Sequence, residues 1–543
     1  MTRIATALSF AALVACLAAL IDAPTAAQAR KTDSGFAVKH DVSAPLSVMV
    51  QRAPARGAPD KEVSIHVPSR LPGRDKPADA GPDRLRQTAP GGGATPPPLL
   101  SFQGISDDDN ARFAGFRVVP PDTQGDVGRR EYVQFVNLLM AVYDKATGNR
   151  VFGPVAGNSI WNGFGGICEE NNDGDPVVLY DHLADRWMIS QFAIGTDGHQ
   201  CVAVSTSPDP AGSYFRYDFL ITRGGLNDYP KFGVWPDGYY MTVNEFAPGF
   251  IGASVVAFER EKMLTGAAAQ FVKVGPLPCA AECYFSLQPS DLDGRAPAAG
   301  TPNTIVMAWD DQTFGTGRGP DGYRLFDFAV NWSRPSASTL SGPTHVEAPA
   351  FDSNLCNFRV GCISEKGGEM LDPLAGYTMY RAQYRNFGSY SSLVLNHTVD
   401  VSGHSDAGIR WVELRNQRNG WTLFQTGTYA PDDGNHRWMG SVAQDQRGNL
   451  ALGFSVSSNN IFPSIHYTSR SAGDPPGELR GGEVSLVEGT GAQQGSFKRW
   501  GDYSTMSVDP VDGCTFWYTQ EYYANSGSFD FKTRIGSFRL PGC

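Results

Sequence analysis

Acidic, basic and aromatic residues open a series of strand-like segments in this sequence, and together they offer the chemistry of carbohydrate binding. Carboxylates hydrogen-bond to sugar hydroxyls, tryptophan and tyrosine rings stack on sugar faces, and arginine binds an acidic group in bidentate fashion. The candidate ligand-binding residues of these types are Asp122, Asp175, Asp228, Tyr229, Asp291, Asp293, Arg437, Trp438, Arg499, Trp500, Asp502 and Tyr503.

Three of the aspartates are candidates for catalysis. Cleavage of a glycosidic bond needs two carboxyl groups that flank the bond, about 5 Å apart for retention and roughly 6.5–9.5 Å apart for inversion. Crowding of several aspartates raises the pKa of one of them, which suits it to act as a general acid. We predict Asp175 and Asp228 as the pair, with Asp502 as the third candidate.

The same residues also have a structural interpretation. An aspartate at the start of a strand often accepts backbone N–H groups of a turn, and in a repeated unit it does so in every copy. The pairs Arg437-Trp438 and Arg499-Trp500 are equally suited to pack neighbouring sheets against each other. The residue types alone leave both interpretations open.

A repeated unit places these residues in the fold. Its clearest copy is DYPKFGVWPDGYYMTVNEF at 228–246 followed by GASVVAFER at 252–260, and further copies start at 175, 437 and 499. Apolar runs of four to eight residues, separated by glycine, proline, asparagine and aspartate, indicate strands throughout. The sequence predicts an all-β protein, a β-propeller of four-stranded antiparallel blades. The residues that open the inner strands are Asp122, Asp175, Asp228, Asp291, Asp372, Arg437 and Arg499, which predicts seven blades, with six or eight as alternatives.

Two stretches resemble known propellers. The segment AVSTSPDPAGSYFRYDF at 203–219, with Ser207, Asp209, Gly212 and Tyr214, resembles the blade edge of secreted sialidase-like and arabinanase-like propellers. Residues 118–543 resemble exported bacterial β-propeller proteins of unassigned activity, with GDPVVLYD, HRWMGS and RWGDYS as markers. The resemblance implies an exported propeller in which the residues that open the inner strands point into one axial pocket.

The N-terminal part predicts export. Arg3, the apolar run from Ile4 to Ile21 and the small residues before Ala29 are typical of a secretory signal peptide over 1–29, while Cys16 offers a less favoured lipoprotein alternative. Residues 30–99, rich in proline, glycine and alanine, are typical of a disordered linker or propeptide, and the propeller domain is expected over 100–543. No later apolar run is long enough to span a membrane. The net charge of −11 argues against nucleic acid as a partner.

Eight of the nine cysteines follow the predicted signal peptide, and an even number in an exported chain indicates disulfides. Proximity in sequence suggests the pairs Cys168–Cys201, Cys279–Cys283, Cys356–Cys362 and Cys514–Cys543. We expect no metal at Cys279 and Cys283 and no cofactor. The acidic loops 106–110, 171–175 and 291–293 offer oxygen ligands for a structural calcium ion, although none matches a complete calcium-binding loop.

Three functions fit these observations. The first is an exported protein, secreted or periplasmic, whose axial pocket binds a carbohydrate and cleaves an extracellular polysaccharide as a glycosidase or lyase. The second is a non-catalytic surface propeller that binds a glycan or a protein. The third is a purely structural surface protein. The sequence lacks the motifs of serine hydrolases, zinc proteases and phosphate-binding loops. We favour the first function, because polar and aromatic residues are predicted at the pocket.

Overall fold

A computed structural model describes residues 30–50, 60–62, 82–358 and 361–543. The predicted signal peptide lies outside these residues. The elements before the first blade are β1 (Thr32–Phe36), β2 (Lys39–Val42), α1 (Leu46–Met49), β3 (Lys61–Glu62), β4 (Arg86–Gln87), β5 (Leu100–Ser106), α2 (Asp107–Phe113) and β6 (Val118–Val119).

Blades one to three contain β7 (Gln124–Val127), β8 (Glu131–Val136), β9 (Leu139–Asp144), β10 (Arg150–Ala156), β11 (Val177–Asp181), β12 (Arg186–Ile194), β13 (Gly198–Ser205), β14 (Tyr214–Thr222), β15 (Leu226–Val234), β16 (Tyr239–Phe246), β17 (Phe250–Phe258) and β18 (Gln270–Leu277). Blades four and five contain β19 (Gln288–Asp293), β20 (Asn303–Trp309), β21 (Gly322–Ala329), β22 (Thr339–Glu347), β23 (Ala382–Asn386), β24 (Ser391–Asp400), β25 (Ala407–Gln417) and β26 (Gly420–Tyr429).

Blades six and seven contain β27 (His436–Gln444), β28 (Leu450–Ser458), β29 (Ile461–Arg470), β30 (Val484–Val487), β31 (Thr505–Val508), β32 (Thr515–Tyr523) and β33 (Phe531–Arg539). The remaining helices are short: α3 (Ile167–Glu170), α4 (Arg260–Met263), α5 (Asp311–Phe314) and the 3-10 helices Gly157–Trp161, Pro335–Ala337 and Leu355–Phe358. The prediction of an all-β propeller is confirmed, with seven four-stranded antiparallel units among the described residues.

The blades are apolar on both faces because each sheet packs between two others. Every residue of β15 and β16 is buried, so these strands read as nearly continuous apolar and aromatic runs and not as alternating ones. The inner strands β19 and β23 pair directly and in parallel, with Asp291 opposite Gln383, which joins blades four and five into one nine-stranded sheet.

The N-terminal strand β5 closes the ring. It pairs antiparallel with β33, with Phe102 opposite Ile535, and so supplies the outer strand of blade seven. Residues near 100 thus complete the last blade. The first and last parts of the propeller are thereby held in one sheet.

Parts of the segment 30–99 lie on the outer edges of the blades. Strand β1 pairs with β18, β2 with β14 and β4 with β26. Two carboxylates of this segment bind buried guanidinium groups: Asp41 accepts from Arg216 at 2.7 and 2.6 Å, and Asp83 accepts from Arg410 at 3.0 and 2.9 Å. The expectation of a disordered segment therefore does not apply to these strands, which cover sheet edges that would otherwise be open.

The four disulfides match the predicted pairs. Cys168 bonds to Cys201, Cys279 to Cys283, Cys356 to Cys362 and Cys514 to Cys543. Such bonds persist in oxidising compartments, which supports an extracytoplasmic location. Among the described residues, the helices are all too short or too polar to cross a membrane.

Candidate functional site

Residues from the starts of four inner strands meet in one buried group, which we call the hub cluster. Its members are Asp122, Asp175, Asp228, Tyr229, Lys231, Arg499, Asp502 and Tyr503. The Asp175 carboxylate accepts hydrogen bonds from the Tyr503 hydroxyl at 2.8 Å and the Tyr229 N–H at 3.1 Å. Because Asp175, Tyr229 and Tyr503 come from blades two, three and seven, the cluster links blades that are distant in sequence.

Asp502 and Asp122 form the other half of the hub cluster. The Arg499 guanidinium donates to Asp502 at 2.6 Å, and the backbone N–H of Asp502 donates to Asp122 at 3.4 Å. The Tyr229 hydroxyl donates to the Asp502 carbonyl oxygen at 3.2 Å. The structure thus brings together the aspartates of blades one, two and seven.

A left-handed backbone residue recurs where inner strands begin. Asp122, Asp175, Tyr229, Ser286 and Met439 all have a φ between 46° and 56°. A non-glycine residue in this region is strained, and such residues cluster where surrounding structure enforces them. The kink thus recurs near the start of several inner strands, and at three of these positions the residue, Asp122, Asp175 or Tyr229, belongs to the hub cluster.

Lys231 is the central member that the sequence analysis missed. Its ammonium nitrogen lies 3.2 Å from the ring centroid of Tyr229 and 3.4 Å from that of Tyr503, and its side chain is fully buried. It also faces the charges of Asp122, Asp175, Asp228 and Asp502. The signal was present in the repeat, as the Lys of DYPKF, but a lone lysine after a proline gave no reason to assign it.

Burial and mutual repulsion change the proton affinities in the hub cluster. Burial raises the pKa of Asp502 to about 7, although Arg499 opposes the shift. Burial, with repulsion from Asp502 and Asp175, raises the pKa of Asp122 far above its usual range. Burial lowers the pKa of Lys231 to about 7 against the attraction of the carboxylates. Two groups of the cluster therefore titrate near neutral pH.

The pKa of Asp175 is also raised by burial, but four contributions oppose the shift. They are the charges of Lys231 and Arg499 and the hydrogen bonds from Tyr503 and the Tyr229 N–H. Asp175 and Asp502 thus lie in one cluster with different hydrogen-bond environments, which is how one site holds both an acid and a base.

Trp438 and Trp500 lie beside the hub cluster as packing residues. Both are fully buried, their ring centroids are 6.1 Å apart, and the Trp500 indole N–H donates to Ser455 at 3.1 Å. Arg437 lies apart from the cluster, because its guanidinium pairs with Asp433 at 2.7 Å and Glu483 at 2.9 Å. The packing interpretation accounts for these three residues.

Asp291 and Asp293 belong to a second buried cluster, further along the inner strands. Arg381 pairs with Asp291 at 2.9 Å and with Asp293 at 2.5 Å, and the carboxylate of Asp126 lies close enough for the three to repel. Asp126 follows Asp122 by four residues and Asp291 follows Ser286 by five, so both lie deeper than the residues that open their strands. The prediction that Asp291 opens its inner strand was therefore wrong by five residues, and Asp291 lies outside the hub cluster.

A long connection between blades four and five covers the hub cluster. Tyr377 packs edge-on against Tyr229 with a centroid distance of 4.8 Å, and Asp372 lies close enough to Arg499 for their charges to interact. The Asp372 N–H donates to the carbonyl oxygen of Lys498 at 2.8 Å. Asp175, Asp228 and Arg499 are each only 4% exposed.

Protein donors bind carboxylate oxygens in each of the three acidic loops. Ser106 and Asp109 cap α2 reciprocally, and Asp108 pairs with Arg117 at 2.6 Å. Asp173 accepts from Asn171 and from the Ile194 N–H. Cys279 and Cys283 form a disulfide. Over the described residues, no group of three or more acidic, histidine or cysteine side chains has the arrangement of a metal site.

We expect the protein to be more stable at pH 5 than at pH 7.5. Burial raises the pKa of Asp107, Asp126 and Asp502 to about 7 and that of Glu365 to about 8. Their carboxyls ionise near pH 4 when unfolded, so at these four groups the native state binds more protons over this window and loses stability as pH rises. The lowered pKa values of His345, His397 and His436 act in the opposite direction below about pH 6.5 and offset part of this effect. The lowered pKa of Lys231 makes stability rise with pH, but only above about pH 7, so it has little effect over this window. Thermal unfolding should show a midpoint several degrees higher at pH 5, and an equal or lower midpoint there would contradict this.

Comparison with known proteins finds no sequence family for this chain. No family model matches the chain, and no curated protein matches it. Similar solved structures include BP39L lectin from Burkholderia pseudomallei, with 10% identity, 74% of this chain and 93% of the lectin covered, and a TM-score of 0.38. A PL25 ulvan lyase bound to -[GlcA(1-4)Rha3S]- has 12% identity, covers 75% and 92%, and has a TM-score of 0.37.

An α-L-arabinanase from Penicillium chrysogenum, complexed with arabinobiose, has 9% identity, covers 58% of this chain and 94% of the arabinanase, and has a TM-score of 0.31. At these identities the similarities concern the fold only. The assignment of a site and an activity therefore has to come from the residues of this chain.

Proposed function

We propose that this protein is an exported carbohydrate-active propeller that cleaves an extracellular polysaccharide at the hub cluster. The observation that carries the proposal is the convergence of four aspartates, a lysine and an arginine in a buried site where two groups titrate near pH 7. Buried like charges cost stability, and strongly shifted pKa values are concentrated at functional sites.

The cluster supplies the groups that glycoside cleavage requires. Asp502 is the general acid, because a carboxyl with a pKa of about 7 holds a proton at neutral pH and releases it readily. Asp175 is the second carboxyl. Asp228, whose carboxylate is attracted to the Lys231 ammonium group, is the third. Tyr229 and Tyr503 offer ring faces, and Arg499 offers a partner for an acidic sugar. A polysaccharide lyase would use the same set with Lys231 as the base.

Substrate reaches these groups only if the covering connection moves. Three hydrogen bonds hold it to the segment before β31: the Glu369 N–H donates to the Gln493 carbonyl oxygen at 3.2 Å, the Asp372 N–H to that of Lys498 at 2.8 Å, and the Gln493 N–H to the Glu365 carboxylate at 3.1 Å. Such contacts between two loops can separate without disturbing a blade. The proposal therefore includes an opening of residues 367–377 during the reaction, because Lys366 and Thr378 on either side bond to blade strands.

A panel of polysaccharides tests this function. Wild type, Asp175→Asn and the exposed control Asp432→Asn are assayed for reducing-end release and for the unsaturated products of a lyase. We expect release by wild type and by Asp432→Asn and its loss in Asp175→Asn. Equal release by Asp175→Asn would overturn the assignment of Asp175 to the site.

A second candidate is a non-catalytic propeller that binds a glycan or a protein on its surface. It is favoured by one specific observation, the burial of the hub cluster, whose charged side chains are at most 4% exposed. Polysaccharide binding without any product release by the wild type would select this second function.

A further inference from the structure

One histidine holds both ends of the outer strand of blade six. Strand β30 has four residues and pairs with β29, where His466 lies opposite Ser485. Glu483 comes directly before β30 and Glu488 directly after it. The ring nitrogens of His466 reach these two carboxylates, Nδ1 to Glu483 at 2.6 Å and Nε2 to Glu488 at 3.0 Å. We call His466, Glu483 and Glu488 the histidine latch.

The geometry of the histidine latch depends on the charge of the ring. An ionised carboxylate only accepts hydrogen bonds, and a neutral imidazole has one N–H, which satisfies one carboxylate and leaves a nitrogen lone pair facing the other. The charged imidazolium has two N–H groups and satisfies both carboxylates. The latch is therefore complete only while His466 is protonated.

Glu483 is the buried partner and has other donors besides His466. Its side chain is 12% exposed, and it accepts hydrogen bonds from the Tyr429 hydroxyl and the Arg437 guanidinium, both at 2.9 Å. The same guanidinium pairs with Asp433 at 2.7 Å. These donors hold the Glu483 carboxylate in place whatever the charge of the ring.

Glu488 is the exposed partner. Its side chain is 62% exposed, and the hydroxyls of Ser485 and Ser464 also stabilise its charge. Water solvates an exposed carboxylate, whereas a buried one needs its hydrogen bonds. A neutral His466 therefore keeps its one N–H for Glu483 and gives up Glu488.

The proton affinities agree with this arrangement. Burial opposes a charge on His466, but the hydrogen bonds to Glu483 and Glu488 outweigh it and raise the pKa of His466. The hydrogen bond from His466 is the largest of the effects that lower the pKa of Glu488 to about 2. A histidine whose pKa is raised by folding contributes stability below its ordinary pKa, and that contribution is lost as pH rises through the raised value.

We propose that the histidine latch is a pH-sensitive switch that releases the C-terminal end of β30 when His466 loses its proton. The freed end contains Val487, which pairs with Ile465, and Gly489, whose N–H donates to Ser464 at 2.9 Å. Leu486 stays packed against Gly536 of blade seven, so the opening is local and leaves the blade intact. Release opens part of the edge of β29. The proposal does not depend on cleavage at the hub cluster.

Hydrogen–deuterium exchange of the full chain tests the switch. Protection factors, corrected for the intrinsic pH dependence of exchange, are measured from pH 5 to pH 9 for a peptide that contains Val487 and Gly489. Strand β28 of the same blade is the internal reference. In wild type we expect protection of this peptide to fall about tenfold relative to β28 as pH rises, the scale of one charge-assisted hydrogen bond.

Two variants identify the latch as the cause. The glutamine of Glu488→Gln accepts from the charged ring and donates to the neutral ring, so protection should vary little with pH. His466→Gln has no titrating ring and should also show no fall. The control His404→Gln, an exposed histidine outside the latch, should behave as wild type does. Equal relative protection at pH 5 and pH 9 in wild type, or a fall as large as that of wild type in Glu488→Gln or His466→Gln, would overturn the proposal.

Discussion

Replacing Arg381 by methionine should lower the free energy of unfolding by about 3–5 kcal/mol, because a buried ion pair that loses one partner leaves an uncompensated charge. Arg381 is 3% exposed and pairs with both Asp291 and Asp293. Its charge also opposes the raised pKa of Asp126. Its removal would leave three carboxyls from blades one and four in repulsion where β19 and β23 meet.

The matched control for this variant is Arg480→Met. Arg480 pairs with Glu478 at 3.0 Å, but both side chains are 53% exposed, so the expected change is about 0–1 kcal/mol. Unfolding in guanidinium chloride measures the free energy of unfolding of both variants. Adding Asp291→Asn and Asp293→Asn to Arg381→Met should recover part of the lost stability. A change below about 1 kcal/mol for Arg381→Met would show that water reaches this cluster freely.

Replacing Asp502 by asparagine should reduce polysaccharide cleavage by about 10²–10⁴-fold, the usual contribution of a general acid. Asparagine has nearly the same shape and still accepts a hydrogen bond from Arg499, so the hub cluster should keep its packing. Asparagine cannot donate a proton to the leaving group. In wild type, ionisation of Asp502 should make the rate fall above about pH 7, and this fall should be absent in the variant.

Two controls separate chemistry from folding for Asp502→Asn. The thermal midpoint should stay close to that of wild type or rise at pH 7.5, because the variant removes the cost of burying a charge. Binding of the polysaccharide should remain, since the ring faces of Tyr229 and Tyr503 are unchanged. Cleavage at the wild-type rate would reject Asp502 as the acid and return it to a structural role.

Most of the fold was predictable from the sequence repeat, because the strands and turns of a blade are specified by residues close together in sequence. Strands such as 239–246, followed by turns with aspartate and glycine, have the period and composition of blades. Closure by β5 could not be chosen from sequence, since the pairing of Phe102 with Ile535 joins the two ends of the propeller. The strands β1, β2 and β4 were missed because a segment rich in proline and glycine can still bind the open edge of a finished sheet.

The candidate site was predictable where a residue sits at the kink that starts an inner strand. Asp122 and Asp175 lie at that kink, and the structure places them together. Arg437 lies two residues before the kink at Met439, and its guanidinium is held outside the hub cluster by Asp433 and Glu483. Lys231 could not be assigned, because its role depends on Tyr229 and Tyr503, which are 274 positions apart by their numbers (503 − 229).

The central claim is that the hub cluster holds a carboxyl that exchanges a proton near neutral pH. Infrared difference spectra of wild type against Asp502→Asn, recorded from pH 5 to pH 9, observe protonated carboxyl groups directly. A protonated carboxyl band that belongs to Asp502 and disappears with a midpoint near pH 7 is the predicted result. Absence of that band at pH 5 would mean that Asp502 is ionised throughout, and the acid–base account of the hub cluster would be wrong.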